Sequence, residues 1–228
     1  MPAQIFEDRV AVVTGASSGI GRAVAELLVA RGARVTTFAR RAIAPKGAFA
    51  VTGDIAVEQD VERLFAETES RFGACDLLVN NAGMIDPKAM IDTAPEEWDR
   101  MFAVNVRGVY LASRRALPSM IARRAGEIVN VASISGVIGP EKFPGFVSYC
   151  ASKAAVIALT EALAVEVKEQ GVRVNCVSPG SVDTKMWDAA SGGAPASMTA
   201  EEVAEVILFL ASEQSRPMNG QNINVYSA

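Results

Sequence analysis

The chain has 228 residues, half of them hydrophobic, with 22 lysines and arginines against 26 aspartates and glutamates. That length suits one domain spanning 1–228, and a net charge of −4 argues against nucleic acid or an anionic membrane as partner. No histidine is present, which excludes a Ser-His-Asp triad and the usual histidine metal sites and leaves tyrosine and lysine as proton carriers.

No apolar run is long enough to cross a bilayer, and the N-terminus lacks the layout of a signal peptide. Cys75, Cys150 and Cys176 are far apart, so neither a disulfide framework nor a metal site is expected, and a reducing cytoplasm is the natural compartment.

Val10 to Val13 is an apolar run of the kind buried on both faces of a sheet. Thr14-Gly15-Ala16-Ser17-Ser18-Gly19-Ile20-Gly21 follows at once, and then Ala23, Val24, Leu27 and Leu28 recur at helical spacing until Gly32. Strand, glycine turn and helix form the context of a dinucleotide-phosphate site, where the backbone approaches the pyrophosphate and the helix start supplies N–H donors. The spacing here is G-x-x-x-G-x-G, and a plain glycine turn is the bland alternative.

Arg34 to Phe38 reads as the second strand, with Ala39-Arg40-Arg41 directly after it. An acid at this point holds the 2′-hydroxyl of NAD, whereas an arginine accommodates the 2′-phosphate of NADP. Two arginines and no acid therefore favour NADP(H), with Arg40 as the phosphate partner, against the alternative of a solvated pair on a turn. Residues 42–47 are too few for a full crossover helix. Ala48 to Thr52 is the third strand, and Asp54, with Ile55 beside it, is placed either to accept from the adenine amino group or to begin a helix.

Val57 to Arg71 is a helix with Val61, Leu64 and Phe65 on one face, and Asp76 to Val79 is the fourth strand. Small residues in Asn80-Asn81-Ala82-Gly83 let the backbone pass close to a cofactor. Thr93-Ala94-Pro95-Glu96 has the form of a capping box opening a helix that contains Asn105. Asn105 lies amid apolar residues and is expected to be buried, as a structural tie or as part of a polar relay.

Glu127 to Val131 is the fifth strand, and Ser133 stands just past its end, the edge where open α/β sheets bind ligands. A loop over 134–147 leads to a helix through Tyr149, Lys153, Val156 and Leu163 to Gly171. Its remaining face is small or apolar, consistent with core or a contact between copies. Arg173 to Val177 is the sixth strand, followed by an irregular segment, 185–197, that holds Met186 and Trp187 and reads as a mobile lid or a pocket wall. Thr199-Ala200-Glu201-Glu202 caps a helix through Leu210, and Asn222 to Tyr226 is the last strand.

Tyr149 and Lys153 are four apart, so a helix sets them on one face, one turn apart. A free tyrosine has a pKa of about 10, which makes it a poor base at neutral pH. A lysine cation about 5 Å away, at an effective dielectric of about 20, favours the phenolate by roughly 3 kcal/mol. That is a drop of roughly two pKa units, toward efficient proton transfer.

In this order, the glycine turn, Asn80-Asn81-Ala82-Gly83, Asn105, Ser133, Tyr149-Cys150-Ala151-Ser152-Lys153 and Pro179-Gly180 resemble the short-chain dehydrogenase/reductase family from Val10 to Val225. The resemblance implies an α/β single-domain Rossmann fold: a doubly wound seven-stranded parallel sheet with helices on both faces, in a homodimer or homotetramer. It implies Tyr149 as general acid or base, Lys153 on the nicotinamide ribose, Ser133 on the substrate oxygen and Asn105 holding a water. Gly15, Ser17, Ser18, Gly19, Ile20, Gly21, Asp54, Ile55, Asn81, Ala82, Gly83, Pro179, Gly180, Val182 and Thr184 would meet the cofactor. The activity implied is hydride transfer between NADP(H) and a small ketone/secondary-alcohol pair, with a 3-oxoacyl thioester as one candidate. A catalytically silent regulator of the same fold is the alternative. Two departures stand out. Extra residues around Glu141-Lys142-Phe143 bulge the loop between Ser133 and Tyr149, making Ser135 a substitute candidate, and the segment after Thr184 is short.

Overall fold

Seven parallel strands form one sheet in the order β3-β2-β1-β4-β5-β6-β7. The computed structural model describes residues 5–139 and 142–226, so Glu141 lies outside the described residues. The strands are β1 (Val10–Thr14), β2 (Arg34–Ala39), β3 (Phe49–Thr52), β4 (Leu77–Asn80), β5 (Gly126–Val131), β6 (Val172–Pro179) and β7 (Asn222–Val225). β1 shows why both faces must be covered. Ala11 and Val13 point to a core with Val24, Leu28, Val203 and Ile207, while Val12 points to one with Leu64, Leu78, Leu111 and Ile128.

Helices α1 (Gly19–Ala30) and α7 (Ala200–Leu210) cover the first face. The second is covered by α2 (Glu58–Phe72), α4 (Gly108–Arg123) and α5 (Val147–Val167). Each fully buried Leu, Ile or Phe contributes about 1.5–3 kcal/mol relative to exposure. No crossover helix joins β2 to β3, as the short spacing requires. No helix among the described residues is long and apolar enough to cross a membrane.

Two local expectations are corrected. The helix α3 (Pro95–Phe102) is capped by Ala94, not Thr93, because Pro95 suits the first helical position and draws the start forward. Glu97 then reaches back to the Ala94 N–H (2.8 Å), and the Thr93 hydroxyl donates to the Ala89 carbonyl. Nor is residue span 185–197 irregular throughout: Lys185–Ala190 forms a short helix, α6, whose start Thr184 caps by accepting from the Trp187 N–H. The rest is tied down by the Trp187 indole on the Ala194 carbonyl and by Asp183 N–H on the Met198 carbonyl.

The order reverses between β1 and β4, so the connections leave these two strands toward opposite faces and open a crevice at the C-terminal edge of the sheet. That crevice is where open α/β sheets take ligands.

Candidate active site

A cleft of about 770 Å³ runs along this edge. At one end the glycine turn enters α1. Gly15 has φ +68°, and a Cβ there would come within 2.7 Å of the Ala82 Cα, so the β1 and β4 loops meet backbone to backbone. Thr14 and Asn81 lace them together. The Thr14 hydroxyl accepts from the Asn81 and Ala82 N–H groups, and the Asn81 amide donates to the Thr14 and Gly15 carbonyls.

The start of α1 has the properties an anion needs. Ser18 makes no side-chain cap and the first turn carries no acid, which leaves the helix N–H groups and their positive potential for a ligand. Ser17, Ser18, Gly19 and Ile20 line the cleft here. The cradle therefore fits dinucleotide phosphates. Arg40 and Arg41 line the same end, exposed and without an ion pair among the described residues. Asp54 and Ile55 line it too, but the Asp54 carboxylate is already engaged: Oδ1 accepts from the Ala56 N–H and Oδ2 from Arg100 (2.7 Å). Burial pushes its pKa up, but the Arg100 and Ala56 hydrogen bonds and the charges of Arg100 and Arg40 outweigh that and hold it below the ordinary value.

At the inner end, β5 and α5 bring Ser133, Tyr149 and Lys153 together. A tight turn (Ile134–Gly136) follows Ser133, and its close approach to α5 depends on Gly136, where a Cβ would lie 2.5 Å from the Lys153 carbonyl carbon. Tyr149 lies beside Ser133, whose hydroxyl favours the ionised phenol, and the Lys153 ammonium donates to the Val131 carbonyl (2.8 Å). Lys153 Nζ sits 5.8 Å from the Tyr149 ring centroid. The expected fall in the phenol pKa is not found in the chain by itself. Burial pushes Tyr149 up to about 12, opposed by the Ser133 hydroxyl, and the same desolvation lowers Lys153 to about 8.

Asn105 is fully buried in a π-helical stretch, Ala103–Arg107, between α3 and α4. It does not line the cleft. Its amide accepts from the Met84 N–H and donates to the Met84 carbonyl and the Ser152 hydroxyl. It is thus a tie between the β4 loop and α5, although its Oδ1 and Lys153 Nζ approach one spot beside Gly83. Gly21 is likewise buried, with a Cβ there meeting the Asn81 amide, so it packs the turn without reaching the cleft. Every other residue expected at the site lines it: Gly15, Asn81, Ala82, Gly83, Pro179, Gly180, Val182 and Thr184 join those above. Ser135 lines it as well, but its backbone N–H donates to the Ser133 hydroxyl, leaving Ser133 as the group that meets Tyr149.

Met186 and Trp187 line the cleft, as a pocket wall from the 185–197 segment would, whereas Thr14, Arg100 and the wall residues Met84, Ile85, Phe146 and Tyr226 were not foreseen from the sequence. Thr14 could have been suspected as the sole polar side chain ending a buried strand. The wall residues carry no spacing that marks them.

The family model for short chain dehydrogenase matches residues 9–194. The 2-(R)-hydroxypropyl-CoM dehydrogenase of Xanthobacter autotrophicus (strain ATCC BAA-1158 / Py2) is 40% identical over 93% of this chain and 94% of its own. Among solved structures, ribose-5-phosphate isomerase from Brucella melitensis 16M has a TM-score of 0.91 at 36% identity, covering 98% of this chain and 93% of that one. The 3-ketoacyl-(acyl-carrier-protein) reductase from Brucella melitensis, complexed with NADH, has a TM-score of 0.88 at 31% identity, covering 96% and 97%. Sheet order, cleft and matched length agree: the chain belongs to the short-chain dehydrogenase/reductase family, whose oxidoreductases work with nicotinamide dinucleotides.

Proposed function

We propose that the protein is an NADP(H)-dependent oxidoreductase interconverting a ketone and a secondary alcohol, with Tyr149 as proton donor in reduction and acceptor in oxidation. The observation that carries this reading is the meeting of Ser133, Tyr149 and Lys153 at the inner end of a cleft whose outer end offers a helix start and two arginines. When bound, the nicotinamide ring would supply or accept the hydride.

The chain's own groups handle the oxygen. Ser133 donates to the substrate oxygen and orients it toward the phenol. Tyr149 gives its proton to that oxygen as charge develops there, and with a pKa of about 12 the proton is in place at neutral pH. Reduction therefore uses the phenol as it stands, whereas oxidation needs its pKa brought down. Lys153, fixed by the Val131 carbonyl, directs its charge to the space beside Tyr149 and to the ribose hydroxyls. Gly15 to Ile20 hold the phosphates, and Arg40 takes the 2′-phosphate.

Exposed Tyr110, Val147 and Val165 support assembly as a homodimer or homotetramer, which sedimentation would test. The activity test is dinucleotide oxidation, followed by absorbance, against a panel of ketones. Consumption of NADPH ahead of NADH is expected. Equal use of the two overturns the cofactor assignment. NADPH binding with no turnover of any carbonyl would favour a silent regulator, and isomerisation of ribose 5-phosphate without dinucleotide consumption would favour acid-base chemistry alone.

A further inference from the structure

The mouth of the cleft carries a stepped row of aromatic rings. Phe146 precedes α5 and meets Tyr149 edge-on, with centroids 6.1 Å apart and planes at 85°. Phe143 tilts over Phe146 at 5.5 Å and 53°. Phe146 is buried, whereas Phe143 is 48% exposed, so the row leads from solvent to the phenol. Its last ring before Tyr149 is fixed, and its outermost ring has an uncovered side facing the cleft it lines. Met84, Met186 and Trp187 line the same end. Thioethers adapt to flat rings, and the Trp187 N–H is already spent on Ala194, which leaves its ring as the contact surface.

Charge is sparse at this end. Lys88 is held by both oxygens of Glu97, and Lys142 by the Ile134 and Val137 carbonyls. Lys185 is the one lining lysine at this end without a hydrogen bond or ion pair among the described residues. A substrate recognised through an anionic or phosphorylated arm would find Lys185 as its single unengaged cation at this end among the described residues.

We infer that the substrate pair is an aryl ketone and its benzylic alcohol: an uncharged compound with an aromatic ring next to the reacting carbon. This rests on the ketone-reductase reading above. The ring continues the Phe143–Phe146–Tyr149 series by edge or offset contact, which sets the carbonyl carbon toward the dinucleotide and its oxygen toward Tyr149 and Ser133. The carbonyl carbon gains a hydride from the reduced dinucleotide and its oxygen a proton from Tyr149, so the ketone is reduced by two electrons as the dinucleotide is oxidised.

The test compares kcat/KM of the unmodified protein with NADPH for acetophenone, cyclohexyl methyl ketone, 2-octanone, levulinate and an acetoacetyl thioester. The saturated ring matches the aryl compound in size and apolar area, so it separates aromatic contact from hydrophobic burial. Acetophenone is expected to lead cyclohexyl methyl ketone by about tenfold. In Phe143→Leu that ratio should fall toward one, and Phe143→Trp should preserve it. Equal or better use of the saturated ring, a preference for levulinate or the thioester, or a ratio untouched by Phe143→Leu overturns the aryl assignment alone. No turnover of any ketone with either dinucleotide overturns it together with the reductase reading.

Discussion

The two halves of the cleft are made of different materials. At the nucleotide end the wall is mostly backbone: the glycine turn, the uncapped start of α1 and the loops laced by Thr14 and Asn81. At the substrate end it is side chains from the β4 loop, the loop before α5 and the short helix α6, with rings and thioethers around one fixed phenol. Backbone recognition serves a ligand part that never changes, such as a pyrophosphate. A side-chain wall can be re-cut without moving a strand, which is how one fold serves many substrates.

The sharpest way to break this division is at the phenol, which belongs to both halves. Tyr149→Phe keeps the ring against Phe146 and removes the hydroxyl proposed to carry the proton. Ketone reduction should fall by roughly 10³-fold with NADPH affinity unchanged, read by absorbance and by fluorescence titration. Activity retained within tenfold would remove Tyr149 from the mechanism. Arg40→Asp probes the outer end of the nucleotide half. Losing a charge-assisted bond of about 1.5–3 kcal/mol and adding repulsion should cut the NADPH-to-NADH ratio of kcat/KM by about 100-fold.

Lys153 sharpens the comparison through stability, because its cation sits where burial opposes charge. Its pKa falls from an ordinary 10.5 to about 8 in the fold, so between these values the unfolded chain binds more protons. The stability this group contributes is present above the unfolded value and lost as pH falls through about 8. The unfolding free energy of the native protein minus that of Lys153→Met should therefore rise by about 2 kcal/mol between roughly pH 8 and pH 9.5. A flat difference would mean that Lys153 is solvated in the fold. Taking the difference cancels Cys75, whose raised pKa acts in both proteins.

The sheet, its order of elements and the nucleotide turn were legible because buried parallel strands read as apolar runs and phosphate loops need glycine at fixed spacing. Tyr149 and Lys153 were legible because one helical turn separates them. Their pKa shifts were not, since the pairwise attraction can be written from spacing but the desolvation that outweighs it depends on what packs around both groups. The start of α3 was misjudged by one residue because Pro95 and Thr93 compete for it, and α6 was missed because six residues give too little periodicity. Phe143 and Phe146 fall in the loop over 134–147, where no periodicity marks them, and it is the turn at Gly136 that sets this loop against α5.

Arg100 tests the part of the nucleotide half that is not backbone. It comes from α3, 46 residues after the Asp54 it pairs with, so no local pattern announces the contact. The side chains are 44% and 26% exposed, and pairs of that kind contribute about 0–1 kcal/mol. Arg100→Met should cost less than about 1 kcal/mol in a denaturant titration. Asp54 keeps the Ala56 N–H and the charge of Arg40, so its carboxylate stays ionised at neutral pH in the variant. If Asp54 chiefly orders the turn into α2, NADPH affinity should move by no more than about twofold. Should Asp54 instead accept from adenine, freeing its second oxygen ought to tighten binding. A tenfold weakening would fit neither, and would make Arg100 itself a contact of the nucleotide, a side chain joining Arg40 in a half built mostly from the main chain.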